Sequence, residues 1–153
     1  MRFPSVEWFQ ALCDLANANP ERLRRLGTVD LALVAKIDFE GNSRFFEIVF
    51  AGYHCQGVRE IPYLADAHRD AVVLEGAYPV WREMIANIQS NGQADLEHTL
   101  NTLTLYDTPM RVFAENQLNT DLFYRYQQNL QEFFDAASKL KSEFSEAEQR
   151  MMH

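Results

Sequence analysis

Ala71-Val72-Val73-Leu74-Glu75-Gly76-Ala77-Tyr78-Pro79-Val80-Trp81-Arg82-Glu83-Met84-Ile85 contains the change of period that decides the fold class. From Asp70 to Glu75 the apolar run Val72, Val73 and Leu74, with its two β-branched valines, has the composition of a strand. At Gly76 the spacing switches, and Val80, Trp81, Met84, Ile85 and Ile88 recur at threes and fours, the stripe of an amphipathic helix. Pro79 suits the first helical turn, where its missing N–H costs nothing, and Asn91-Gly92 supplies a stop.

Upstream lies the clearest alternation in the chain. Val29, Leu31, Leu33, Ala35 and Ile37 alternate with Asp30, Ala32, Val34, Lys36 and Asp38, which puts one apolar face on a strand. Glu40-Gly41-Asn42-Ser43 is a hairpin turn, because Gly41 and Asn42 both tolerate positive φ. The returning strand carries Phe46, Ile48 and Phe50 on one face and Phe45, Glu47, Val49 and Ala51 on the other. A further strand is expected around Val58 to Ile61, limited by Pro62. Before the hairpin, Ser5 caps a helix whose Phe9, Leu12, Cys13 and Ala16 share a face. A second, short helix is expected from Asn19-Pro20 to Gly27, with Arg22, Arg24 and Arg25 complementing its dipole.

Downstream, Leu96, Leu100, Leu103 and Leu105 are read as helical, and Asp107-Thr108-Pro109 starts another helix through Val112 and Phe113. Phe123, Tyr126, Leu130, Phe133, Ala137 and Leu140 repeat over about five turns and predict one long final helix. The polar stretch after Leu140 is expected to fray. Together these elements predict an α+β fold: an antiparallel sheet of about four to five strands, covered by helices on one face. A single domain over residues 1–140 and a frayed tail over 141–153 follow.

With 153 residues, 47% of them hydrophobic and 24% charged, the chain is globular in composition. A chain of this size buries roughly 68–70% of its unfolded surface and can hold a core without staples. A net charge of −8 excludes a general nucleic-acid binder, which needs clustered positive charge. No apolar run approaches the roughly 18 residues of a membrane span, so no stable membrane insertion is expected. The start, Met1-Arg2-Phe3-Pro4-Ser5-Val6, has no signal-peptide pattern. Cys13 and Cys55 are therefore expected as free, buried thiols, and the protein as cytoplasmic.

Catalytic patterns are missing. His54, His68, His98 and His153 have neither HExxH nor CxxC spacing around them, so no metal and no cofactor is expected. There is no GxSxG elbow, Walker loop or GxGxxG, and a nucleophile could be assembled only from Cys55 with His54, His68 or His98, a pairing that any chain with four histidines permits. The expectation is a protein that is not an enzyme. What exceeds the needs of a core is the aromatic supply: Phe45, Phe46, Phe50 and Tyr53 on the sheet, then Phe123, Tyr124, Tyr126, Phe133 and Phe134. That surplus points to an apolar cavity, an interface, or both.

The segment Ala71–Ile85, a strand ending at a Gly followed by a helix with a Trp one turn in, resembles a motif of the sterol carrier protein 2-like family. The order upstream matches too, and the resemblance covers about residues 5–90. After the Trp helix the family returns a strand, whereas Ala94 to Thr108 shows no such turn and a long aromatic helix is added. The resemblance implies a domain that binds a lipid or fatty-acyl-like ligand in a tunnel between sheet and helices. Phe46, Ile48, Phe50, Trp81 and Ile85 would line that tunnel, and Phe123, Tyr126 and Leu130 would close it. The alternative is an interaction module, such as a homodimer, that uses the aromatic C-terminal helix and has no small-molecule ligand.

Overall fold

The structure, a computed structural model, describes residues 1–21, 24, 27–52 and 54–144. Strand β1 (Arg2–Phe3) leads into helix α1 (Val6–Ala18), which starts where Ser5 Oγ accepts the Trp8 N–H at 3.0 Å. The helix buries Trp8, Phe9, Leu12, Cys13 and Ala16, the expected face with one tryptophan added. Most of the short helix expected up to Gly27 lies outside the described residues.

β2 (Leu31–Phe39) and β3 (Asn42–Ala51) form the expected hairpin, with Gly41 at φ +82° in the turn and Leu33 opposite Ile48, Ala35 opposite Phe46. β4 (His54–Ile61) begins earlier than expected and extends the meander, with a register irregularity at Val49/Phe50. The chain then crosses over through a 3₁₀ turn at Leu64–Asp66 to β5 (Val72–Ala77), which pairs with the far edge of β2 in parallel. The expected all-antiparallel sheet is thus corrected to a mixed one. A hairpin would have forced antiparallel pairing, but a crossover over two strands returns the chain in the direction of β2.

α2 (Tyr78–Asn91) carries Pro79 in its first turn and ends at Gly92, left-handed at φ +80°, whose N–H bonds the Ile88 carbonyl. A 3₁₀ turn at Leu96–His98 and α3 (Leu100–Thr104) follow, as the helical reading of that stretch expected. Met110–Ala114, expected as helix, is instead strand β6, antiparallel to β5 at the sheet edge. Met110 and Val112 are buried while Arg111 is exposed, an alternation that five residues display too briefly to stand out beside the cap-like Asp107-Thr108-Pro109. β6 also supplies the returning strand that the sequence did not reveal. The sheet order is β4-β3-β2-β5-β6.

The long final helix is likewise corrected, to two: α4 (Gln117–Arg125) and α5 (Gln127–Asp135), joined at Tyr126 (φ −100°, ψ 12°) and continued by a 3₁₀ turn to Lys139. The Phe123-to-Leu140 stripe is real, but Asn116 caps the first helix, its Oδ1 accepting the Leu118 N–H at 3.0 Å, and fixes its start independently of the second. In the segment expected to fray, Trp8 Nε1 donates to Ser142 Oγ at 2.7 Å, and β7 (Glu143–Phe144) pairs in parallel with β1. Among the described residues, helices α1 to α5 lie over one face of the sheet; the crossover of residues 62–71 lies against the other.

Cys13 and Cys55, expected as free thiols, form a disulfide with a Cα–Cα distance of 5.5 Å. Cys13 belongs to the buried face of α1 and Cys55 to the helix-facing side of β4. Asn17 fastens the same contact from both sides: its Nδ2 donates to the Cys55 carbonyl at 2.8 Å and its Oδ1 accepts the Cys55 N–H at 2.9 Å. Each sulfur meets the other because helix and strand are already docked there. The bridge removes the free-thiol argument for a reducing compartment.

Candidate functional site

Between sheet and helices, the alternation of β2 and β3 delivers Leu31, Leu33, Ala35 and Ile37 beside Phe46, Ile48 and Phe50, all buried. From above, α2 delivers Trp81 and Ile85, α4 delivers Phe123 and α5 delivers Leu130, all buried in the same cluster. Tyr126, at the helix junction, packs against that cluster only in part, with the Arg125 guanidinium 5.9 Å from its ring centre. All eight residues named from the sequence therefore share one apolar layer.

Within that layer the aromatic contacts are specific. Phe46 stacks on Phe9 at 4.9 Å, Phe50 meets Phe133 edge-on at 5.1 Å, and Trp81 leans on Phe134 at 5.9 Å. The C-terminal helices thus reach the sheet and α2 through Phe133 and Phe134, which the sequence reading left out of the site. Leu130, Phe133, Phe134 and Ala137 at helical spacing were the available signal. Phe9 and Trp8 of α1 were also missed.

The strand-Gly-helix-Trp motif has a steric cause. A Cβ on Gly76 would stand 3.1 Å from the Met110 side chain and 3.2 Å from Trp81 Nε1. A side chain there would press on the indole, which lies across the strand and donates from Nε1 to the Lys36 carbonyl at 3.3 Å. The motif is a packing device that fixes α2 to the sheet.

Two details mark the side of this layer formed by α5. A small cavity of about 30 Å³, room for about one water, opens between α1 and α5 and is lined by Leu15, Ala16, Glu132, Phe133 and Ala136. Gln127, one turn after Phe123 and one before Leu130, buries its Nε2 with no hydrogen-bond partner among the described residues. An orphaned amide donor costs about 1–3 kcal/mol. α1 is held by the disulfide and α2 by Gly76 and Trp81, whereas α5 is held by packing and by hydrogen bonds: Gln131 Oε1 accepts the Leu100 N–H at 2.8 Å, Asp135 Oδ1 accepts the Ala94 N–H at 3.1 Å, and Asn129 Nδ2 donates to the Gly27 carbonyl at 3.2 Å.

The opposite face of the sheet carries ion pairs beside a small apolar cluster of Val34, Ala71 and Val73. Lys36 Nζ bonds Asp38 Oδ1 at 2.7 Å and also Glu75, whose other oxygen takes Arg111 Nε at 3.3 Å. Burial would lower the Lys36 pKa, but the hydrogen bonds and charges of Asp38 and Glu75 outweigh it and raise it. Burial would raise Glu75, and Lys36 and Arg111 instead hold it below the usual carboxylate value. Glu47 is 1% exposed, accepts Arg59 Nε at 2.8 Å and the His68 N–H at 2.7 Å, and is held low by those partners against its burial. Cavities of about 510 Å³ and 420 Å³ lie on this face and share His68. None of the eight sequence-named residues lines either one.

At the far end, His98 is held by Asp95, 2.6 Å from its Nδ1, and by Glu83, 3.2 Å from its Nε2, and Asp95 above all raises its pKa. Among the described residues no three His, Cys, Asp or Glu side chains converge as a metal centre would need. Cys55 is tied in its disulfide and is no nucleophile in that state. No helix among the described residues is long and apolar enough to cross a membrane.

The arrangement defines a class: an α+β domain with a five-stranded sheet whose aromatic interior lies under a layer of helices. This is the fold of sterol carrier protein 2. The crystal structure of that protein superimposes with a TM-score of 0.67, over 90% of this chain and 98% of that one, at 17% identity. The solution structure of a conserved hypothetical protein from Thermus thermophilus, described as a candidate sterol carrier, gives 0.65 over 91% of this chain and 90% of that one, at 15% identity. No family model and no curated protein matches the sequence.

Proposed function

We propose that this protein binds a lipid or other hydrophobic small molecule between its sheet and its helices, without catalysing a reaction on it. The observation that carries the reading is the shared fold with a protein named as a sterol carrier. Phe46, Ile48, Phe50, Trp81 and Ile85 form the fixed floor and side of the site, and Phe123, Tyr126 and Leu130 its movable cover. Because these side chains pack against one another, a ligand is admitted by outward displacement of α4 and α5. The cleft at Phe133 is where that separation starts. The driving force is desolvation, roughly 25 cal/mol per Å² of apolar ligand surface, and the Gln127 amide supplies the donor that orients an oxygen-bearing head group.

Native mass spectrometry of freshly purified protein, with solvent extraction of whatever is bound, tests the reading directly. A stoichiometric fatty acid, phospholipid or sterol-like mass is expected. Titration with a fluorescent fatty acid should then show Gln127→Leu binding several-fold more weakly while its folded state is as stable as the parent's or more so. Equal affinity of the two proteins, with no co-purified lipid, would overturn the reading. One observation favours the homodimer as a second reading: Leu118 and Tyr124 on α4 are 72% and 47% exposed. A ligand-free dimer in the same spectrum would select it.

A further inference from the structure

The cavity of about 510 Å³ on the open face of the sheet lies well inside the roughly 300–1,000 Å³ of small-molecule sites. One wall is the crossover, with Leu64, Ala67, His68 and Arg69; the floor is Val73 and Phe113 on β5 and β6. Val34, Ala71 and Val73 form a separate buried apolar cluster beneath it, against which Leu64, Ala67 and Phe113 pack. The wall is fixed in place. Glu47, rising from β3, holds the His68 N–H, and Arg59, bound to the same carboxylate, donates from Nη2 to the Asp66 carbonyl at 2.9 Å. A buried carboxylate therefore anchors the loop beside the apolar contacts of Leu64, Ala67 and Ala71.

Charge distinguishes this cavity. Lys36, Arg59 and Arg111 on the same face are each neutralised by a glutamate. Arg69 alone among the cations around the cavity makes no hydrogen bond or ion pair with the described residues. Its guanidinium stands exposed at the edge of an apolar floor, a fork suited to a carboxylate. Glu115 is the acidic residue on the same rim.

We propose that this cavity is a second binding site, separate from the layer between sheet and helices, for a small amphipathic carboxylate whose head pairs with Arg69 and whose tail lies on Val73 and Phe113. Glu115 opposes the head and limits the site to ligands that bring a single negative charge to Arg69. The site is independent of the function proposed above, and one experiment reports on both.

Octanoate and octanol are titrated separately into ¹⁵N-labelled full-length protein, and amide shifts are followed. Octanoate is expected to shift Ala67, Arg69, Val73 and Phe113. Arg69→Ala should weaken octanoate about tenfold or more, the scale of a charge-assisted pair, and leave octanol unchanged; Glu115→Gln should tighten octanoate. Both positions are exposed, so both variants keep the fold. Octanoate shifts confined to Phe46, Ile48 and Trp81 would overturn this proposal while supporting the inner site. Octanol binding here as tightly as octanoate, or an Arg69→Ala variant indistinguishable from the parent, would also overturn it.

Discussion

The two faces of the sheet are made from alternate residues of the same strands, yet they behave as different materials. Inward from β2 and β3 point Leu33, Ala35, Ile37, Phe46 and Ile48, buried beneath the helices. Outward from the same strands point Lys36, Asp38 and Glu47, which are held in ion pairs. The inner face is stabilised by area and packing, which no change of pH touches. The outer face adds charge to a smaller apolar cluster, and each of its pairs works within a window. Glu47 and Glu75 have lowered pKa values, so their contribution is complete above the usual glutamate range and is lost as pH falls through their folded values. Lys36 has a raised pKa, so its contribution is complete below the usual lysine range and is lost only as pH climbs through its folded value. The two proposed sites differ accordingly: the inner one would take an apolar molecule by parting its helices, whereas the outer one has open cavities beside fixed charges.

The sharpest way to break this contrast is to truncate the inner face. Phe46→Ala should cost about 3–5 kcal/mol in urea unfolding, equally at neutral and acid pH, because the loss is of packing. A cost below about 1 kcal/mol would mean that the layer is already loosely filled. Next in size is the Cys13–Cys55 bridge, which closes α1 onto the inner face across a sequence separation of 42. Reducing it should lower stability by about 2–4 kcal/mol, the entropy of a loop that long. If reduction leaves the unfolding midpoint unmoved, Asn17 and the helix packing hold α1 unaided. Smallest is Glu47→Gln on the outer face, about 1–2 kcal/mol at neutral pH. That difference from the parent should shrink as pH falls below the usual glutamate range, and a gap independent of pH would show that Glu47 acts by shape rather than by charge.

Legibility followed how many residues repeat the same message. The β2–β3 hairpin announces itself over nearly all of its length, and the α2 stripe recurs from turn to turn, so both were readable with their turns and caps. β6 is five residues long and sits behind Asp107-Thr108-Pro109, a sequence that also suits a helix start; its strand state is settled by the free edge of β5. Of the site, the floor residues were legible because their alternation is strict. Phe133 and Phe134 were not singled out, since helical spacing marks a face as buried without saying what it meets. The ion pairs of the outer face were not singled out: Glu47 meets Arg59 through the register of β3 with β4, and His68 joins them only through the crossover.

The sequence by itself determined the class of fold, the hairpin, the Gly76–Trp81 junction and the apolar character of the inner layer, because each depends on local periodicity or on one residue's steric freedom. Tertiary structure alone decided the parallel pairing of β5 with β2, the joint at Tyr126, the Cys13–Cys55 bridge and the walled cavity beside Arg69. Those features depend on which distant segments come into contact, and periodicity carries no information about partners.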